Sequence, residues 1–534
     1  MSVAGLLKQV TAGMQDERLE PPRGQPRLAD VRAVFRPAGR FTTKLHRLDF
    51  ERPPQFGQRA TVEIPRKGHL VTRLWLVVTL PDIRTPQIEA RAAAGSNFAG
   101  PTFNWTNSIG HVIIEDLTLD IGGARVEQMD GRLLEVLDEF NTPLEKLTVK
   151  NKLIGRNMTN YSEEDIISDL DAAGGKRVVV ELPFWFARGD CPSALPVDAI
   201  NADMIRVGVG FRGIEGAYYT DSRLVGSSET DPCLVGGGTL WQMTGSVFYQ
   251  TGAGGSVVPG LWNNGSAVEQ AVSEVPGGLQ MPSFGGLPMG DTYMLAEYVY
   301  LDKPEANRFR LADLQIPIVQ HYALPVVATQ GAPRVAIPLT IPNPVRALFF
   351  MGQRVEAPAL NAWFLATRDL QDMKTKDTQL AEILYNNAPW WPDAAPLPQT
   401  SFSFPVSGFR YRESEPFRAA AIVYEGGLVR ARTTAMQMWR SIGPSLDCVK
   451  SPYVNRYMYM VPFSILDEGK QPSSAPIGEA NYDRILKRWL HLDLAPFAGT
   501  VDPNQVPNLN VYVWAETFNI LRVYGGRAGT MFSF

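Results

Sequence analysis

At 534 residues the chain exceeds what one hydrophobic core usually serves, so two or more domains are expected. Its 51 Lys+Arg stand against 55 Asp+Glu, a net charge of -4 that gives no basis for gripping nucleic acid directly. Cys191, Cys233 and Cys448 are odd in number and far apart, which argues against a disulfide framework or a thiolate zinc site, and no run approaches the roughly 18 apolar residues of a membrane span.

From the start, Val3, Leu6, Leu7, Val10 and Met14 fall on one helical face before Glu20-Pro-Pro-Arg-Gly24 breaks it, so residues 1–30 read as an amphipathic N-terminal arm. The opening is too short and interrupted for a secretory leader, and the chain is expected to stay in the cytosol unless exported within something larger. Strand patterns follow. Ala60-Thr-Val-Glu-Ile64 alternates, as do Leu117, Leu119 and Ile121, and later Ile205, Val207, Val209 and Phe211. Helices are fewer: Asp130 is placed to cap one carrying Leu133, Leu134, Leu137 and Phe140, Ser162 one carrying Ile166, Ile167 and Leu170, and a third runs from Asp377 through Leu384. Residues 213–290, rich in Gly, Ser and Pro, read as a long surface excursion.

The most informative feature is an internal repeat. Leu182-Pro-Phe184, Pro192-Ser193, Pro196 and Asn201-Ala-Asp203 recur as Val461-Pro-Phe463, Pro472-Ser473, Pro476 and Asn481-Tyr-Asp483. Val62-Glu-Ile-Pro65 is echoed by Val335-Ala-Ile-Pro338. Two copies of an antiparallel sandwich of about eight to ten strands account for this better than one giant sheet. The expected division is 1–30 arm, 31–325 first sandwich, 326–534 second.

Ile64-Pro-Arg66, Gly68-His-Leu-Val71, Ile109-Gly-His-Val-Ile-Ile114, Ile121-Gly-Gly123 and Asp130-Gly131 resemble, in order, the major capsid proteins of nucleocytoplasmic large double-stranded DNA viruses of algae and amoebae. Leu182-Pro-Phe-Trp-Phe186, Tyr298-Val-Tyr-Leu-Asp302, Asn343-Pro344, Gln471-Pro-Ser473 and Asn519-Ile-Leu-Arg-Val523 extend the resemblance over nearly the whole chain. His69 stands where an acidic residue is commoner, and Glu305-Ala306 replaces Glu-Arg. The resemblance implies an all-β chain of two tandem antiparallel eight-stranded jelly rolls, a double jelly roll, with short helices and long loops. It also implies a homotrimer forming a pseudo-hexagonal capsomer in an icosahedral shell, assembled in the host cytoplasm beside minor capsid and penton proteins. The arm Val3, Leu6, Leu7, Val10 and Met14 would then dock beneath the shell, on neighbouring capsomers, minor proteins or an inner membrane surface, or else fold back on its own sandwich.

Chemistry is poorly represented. Gly208-Val-Gly-Phe-Arg-Gly213 ends a strand with no helix after it, and the five histidines are scattered, so no cofactor, metal or catalytic group is expected. Glu163-Glu-Asp165 and Asp467-Glu468 read as a helix start and a solvated turn rather than a glycosidase pair, and Arg188-Gly-Asp190 as a turn rather than an adhesion loop. Asn104, Asn157, Asn160 and Asn264 fit the glycosylation acceptor pattern, which needs a secretory route that this start does not encode. The alternative function is a carbohydrate-binding or glycoside-cleaving β-sandwich, since that architecture serves both.

Overall fold

The computed structural model describes residues 41–83, 103–156, 177–187, 193–220, 240–244, 247–251, 269–272, 287–355, 358, 363–368, 415–452, 456–463, 478–482, 484–485, 487–496 and 506–532. Eight long-range strands make up the first half: β1 (Phe41–Leu48), β2 (Arg59–Glu63), β3 (Leu70–Thr79), β4 (Ile114–Ile121), β5 (Ala124–Met129), β6 (Arg177–Glu181), β7 (Ile205–Phe211) and β8 (Tyr293–Leu301). Eight more make up the second: β9 (Leu314–Ala323), β10 (Arg334–Pro338), β11 (Val345–Arg354), β12 (Phe417–Tyr424), β13 (Leu428–Thr433), β14 (Met458–Pro462), β15 (Arg488–Leu494) and β16 (Leu509–Tyr524). The expected strands at Ala60, Leu117 and Ile205 are β2, β4 and β7. Period two produces them: Ala60 and Val62 of β2 are buried between exposed Arg59 and Glu63.

The sheet orders are β1-β8-β3-β6 and β2-β7-β4-β5 in the first half, then β9-β16-β11-β14 and β10-β15-β12-β13 in the second. Adding eight to each first-half number gives the second half. Irregularities repeat as well. The ladder of β4 with β5 slips between Leu119 and Asp120, and that of β12 with β13 between Ile422 and Val423. The ladder of β4 with β7 slips between Ile114 and Asp116, and that of β12 with β15 between Phe417 and Ala419. Two sheets of this order, facing each other, form a jelly roll, so the chain is a double jelly roll.

One expectation needs revision. β9 lies before residue 326 yet pairs with β16 along its whole length, Leu314 opposite Val523 to Ala323 opposite Trp514, so the sheets change hands between β8 and β9. Pro317 is tolerated within β9 because β9 is an edge strand of its sheet. The described parts of the tract 213–290 include a three-stranded antiparallel sheet of Leu240–Thr244, Val247–Thr251 and Glu269–Val272.

Helices fill the gaps: α1 (Ile109–Val112), α2 (Gly131–Asn141), α3 (Leu144–Ile154), α4 (Lys303–Leu311) and α5 (Gly443–Asp447), the last preceded by a π-helical turn, Met438–Ile442. The Asp130 side chain caps α2 as expected, accepting from the Leu133 N–H at 3.1 Å. The helices expected from Ser162 and Asp377 lie outside the described residues. Thr43 to Phe534 form one compact unit, and buried apolar side chains of both jelly rolls join in one continuous core.

Candidate functional site: the junction of the two jelly rolls

α2 carries the junction. Its apolar residues Leu133, Leu134, Val136, Leu137 and Phe140 are buried, and Phe140 meets Phe349 of the second half with ring centroids 5.5 Å apart. Helical spacing puts Glu135, Asp138 and Glu139 on the opposite side, where an amphipathic helix would meet water. They are buried as well, at 0, 5 and 0 % exposure.

Buried carboxylates must be paired. Arg156, just after α3, donates to Glu135 Oε2 at 2.6 Å and pairs with Asp138, while Lys150 reaches Asp138 at 2.8 Å and Glu181 at 3.4 Å. The second half supplies the remaining charge: Lys450 lies 3.3 Å from Glu139, and Arg456 lies 3.3 Å from Glu135 and 3.7 Å from Glu139. Four cations thus meet four carboxylates. Burial alone would raise Glu135 and Asp138, yet the Arg156 guanidinium, with Arg456 and Lys150, holds both well below the usual carboxylate range. Arg156 is raised in turn by the acids around it, against its own burial.

Two further side chains complete the cluster. His111 Nδ1 lies 2.6 Å from Glu135 Oε2, and Ser108 Oγ donates to Glu135 Oε1 at 2.9 Å. Ser108 holds φ +56, a left-handed conformation unusual for a residue with a Cβ. That strain aims its hydroxyl and starts α1 beside α2.

A second contact joins β5 to β9. The Gln320 side-chain amide donates to the Val126 carbonyl and its Oε1 accepts from Asn519 at 2.7 Å, while His321 Nδ1 lies 2.6 Å from Glu127 Oε1. A third stacks Arg212 at 3.8 Å and Arg132 at 5.3 Å over the Trp363 ring, with Arg132 also 4.4 Å over Tyr512. Burial, reinforced by neighbouring Arg132, brings Arg212 down to about 10. These contacts lock the halves into one body. A cavity of about 360 Å³ lies beside α2, lined by Trp75, His111, Lys150, Phe184, His321 and Glu516 among others.

None of this was expected from the sequence. The arm residues Val3, Leu6, Leu7, Val10 and Met14 lie outside the described residues, as do Asn157, Asn160 and Asn264; Asn104 lies in a short strand opposite Tyr219. Gly208–Gly213 forms the end of β7 and the turn into a 3₁₀ helix, not a phosphate loop. Cys448 is a buried thiol beside the Met460 sulfur. Among the described residues, no group of three or more His, Cys, Asp or Glu side chains is placed to hold a metal, and no helix is long and apolar enough to cross a membrane.

Two jelly rolls of one topology, joined by buried ion pairs, define a double jelly-roll fold. The family model described as the major capsid protein N-terminus matches residues 32–231. The chain is 23 % identical to the major capsid protein of Frog virus 3 over 497 residues, 89 % of this chain and 86 % of that one. It is 28 % identical to Capsid protein 1 of Acanthamoeba polyphaga mimivirus over 218 residues, 40 % of this chain but only 35 % of that one. VP54 of PBCV-1 superposes with a TM-score of 0.59 at 16 % identity, covering 95 % of this chain and all of that one. The Faustovirus major capsid protein gives 0.55 at 12 % identity, covering 92 % of each. By matched segment, relatives and fold, the chain is similar to the major capsid proteins of large DNA viruses.

Proposed function

We propose that three copies of this chain close into a pseudo-hexagonal capsomer and that these capsomers tile an icosahedral shell. One observation carries the reading: two jelly rolls repeat the same strand order and three of the same ladder slips within a single compact unit. Three such chains offer six nearly equivalent corners, and a cyclic trimer closes its own interface while leaving lateral faces for the lattice. The buried ion pairs around α2 serve this purpose by fixing the angle between the halves, on which hexagonal tiling depends. No catalytic role is assigned to them: the cations and carboxylates are spent on one another.

Assembly in the host cytoplasm, minor capsid and penton proteins as neighbours, and docking of residues 1–30 under the shell or on an inner membrane complete the reading. Light scattering on the purified full chain tests it, with an expected mass of three times 59.0 kDa. A stable monomer at micromolar concentration would overturn it. Deleting residues 1–24 should spare trimers and impair shells.

A further inference from the structure

We propose that the face formed by β13 and the Met438–Asp447 helical segment receives the first half of a second copy of this chain, repeating between chains the junction that joins the halves within one. The proposal rests on the capsomer reading and names the surfaces that would make it.

Within the chain, β5 is covered by β9, which leaves Val126 and Glu127 at 1 and 0 % exposure. The matching slips in the β4–β5 and β12–β13 ladders fix the counterparts in the second half. Glu127 lies opposite Leu119, and Ala431 opposite Ile422; the extra residues are Val126 and Arg430. Arg430 is exposed and Ala431 only half-buried. The same positions are thus covered in one half and open in the other.

The helix after each of these strands shows the same contrast. α2, following β5, buries every large apolar side chain it has against its surroundings. The segment following β13 leaves Met438 and Ile442 exposed at 45 and 48 %, and β13 itself leaves Leu428 and Val429 exposed at 65 and 49 %. Exposed apolar side chains recurring on two consecutive elements, where the first half has them covered, mark a contact surface.

The complementary surface is also open. β9, the first strand of its half, is buried from Ile318 to His321 where β5 meets it. β1, the first strand of the other half, exposes Lys44, Leu45 and Arg47, with Leu45 at 54 %. Each side of the internal junction therefore recurs without its cover, one on each half. Joining them is a head-to-tail contact, and such contacts close into rings when the rotation allows. Two halves per chain and three chains make six junctions, alternating internal and external.

Light scattering on the wild type and on the double variant Met438→Glu/Ile442→Glu tests this. The expected result is a wild-type trimer and a variant of single-chain mass with an unchanged melting profile. A variant that stays trimeric overturns this surface but not the capsomer; a monomeric wild type overturns the capsomer itself. A second measurement needs no variant. In the single chain Met438, Met204 and Met531 are exposed at 45, 57 and 51 %, so mild peroxide should oxidise them alike unless assembly covers one. In native trimers Met438 should oxidise at least about fivefold more slowly than the other two, and equal rates would overturn the proposal.

Discussion

Arg346 donates to Glu516 at 3.0 Å from the extra residue of a bulge, and Thr72 donates to Glu297 at 3.0 Å from the equivalent bulge in the other jelly roll. In the β11–β16 ladder Val345 faces Thr517 and Ala347 faces Glu516, which leaves Arg346 unpaired; in β3–β8, Val71 faces Tyr298 and Arg73 faces Glu297, which leaves Thr72 so. A bulge re-aims the side chain of the added residue, here toward a carboxylate on the neighbouring strand. The two halves keep the device and change its chemistry.

That change sets an order of stability effects. Arg346 and Glu516 are 4 and 6 % exposed, so Arg346→Ala strands a buried carboxylate and should cost about 3–5 kcal/mol. Glu297 is less buried and has Arg73 nearby at 3.8 Å, so Thr72→Ala loses one charge-assisted hydrogen bond, about 1.5–3 kcal/mol. Urea midpoints for the two variants should fall in that order, and equal losses would contradict it.

Arg156 at the junction gives a pH signature. Glu135 and Asp138 are held below their ordinary values of 4.5 and 3.8, so their pairing stabilises the fold above those values and is lost as pH falls through and below them. In Arg156→Met the main force lowering both carboxyls is gone and burial raises them instead. The variant should be less stable than wild type by about 3–5 kcal/mol at pH 7, with the gap narrowing toward pH 4. Melting temperatures across that range check it; a constant gap would place the cost in packing rather than charge.

Asp130 separates capping from charge. Burial raises its carboxyl, against the Leu133 N–H and the nearby Arg132, which favour the anion. Asn keeps an oxygen for the cap and removes the buried charge, so Asp130→Asn should melt at or above the wild-type temperature at pH 7. Asp130→Ala should lose the cap, about 1 kcal/mol.

How far the sequence could be read follows from what each element repeats. The match of Leu182-Pro-Phe184 with Val461-Pro-Phe463 holds in register, since Leu182 N–H bonds the Leu74 carbonyl while Val461 faces Leu348, the counterpart of Leu74. The match of Asn201 with Asn481 does not. The bridge of Val71 with Leu195 corresponds to that of Val345 with Ala480, and the strands that follow align Val207 with Leu490, so the two tracts are displaced against the matched Asn residues. Pro and Asn recur because turns need them, whichever residue of the strand comes next. Val62 was matched to Val335, but Val62 faces Val207 while Ile337 faces Leu490, a shift of two residues. Alternation of period two is blind to such a shift. The junction was hidden for another reason: Glu135, Asp138 and Glu139 look like a solvent face, and Lys450 and Arg456, which help bury them, come from the other half.

Gly131 shows how little room the junction has. A Cβ there would lie 2.3 Å from the His111 carbonyl oxygen and 2.5 Å from that of Ile114, both backbone atoms of the α1–β4 turn that cannot swing aside. Gly131→Ala must therefore push α2 away, and with it Glu135, Asp138, Glu139 and the Phe140 contact to the second half. Overpacking usually costs about 1–3 kcal/mol, and here it also uncouples buried charges, so the variant should yield little soluble trimer. Gly123→Ala is the control: its Cβ would meet nothing within 4 Å, and only the φ of +85 opposes it. That backbone strain costs about 1 kcal/mol. Gly123→Ala should thus assemble as wild type with a slightly lower melting temperature. Comparable soluble yields of the two variants would show that α2 can shift without parting the halves, and would remove the junction as the element that sets their angle.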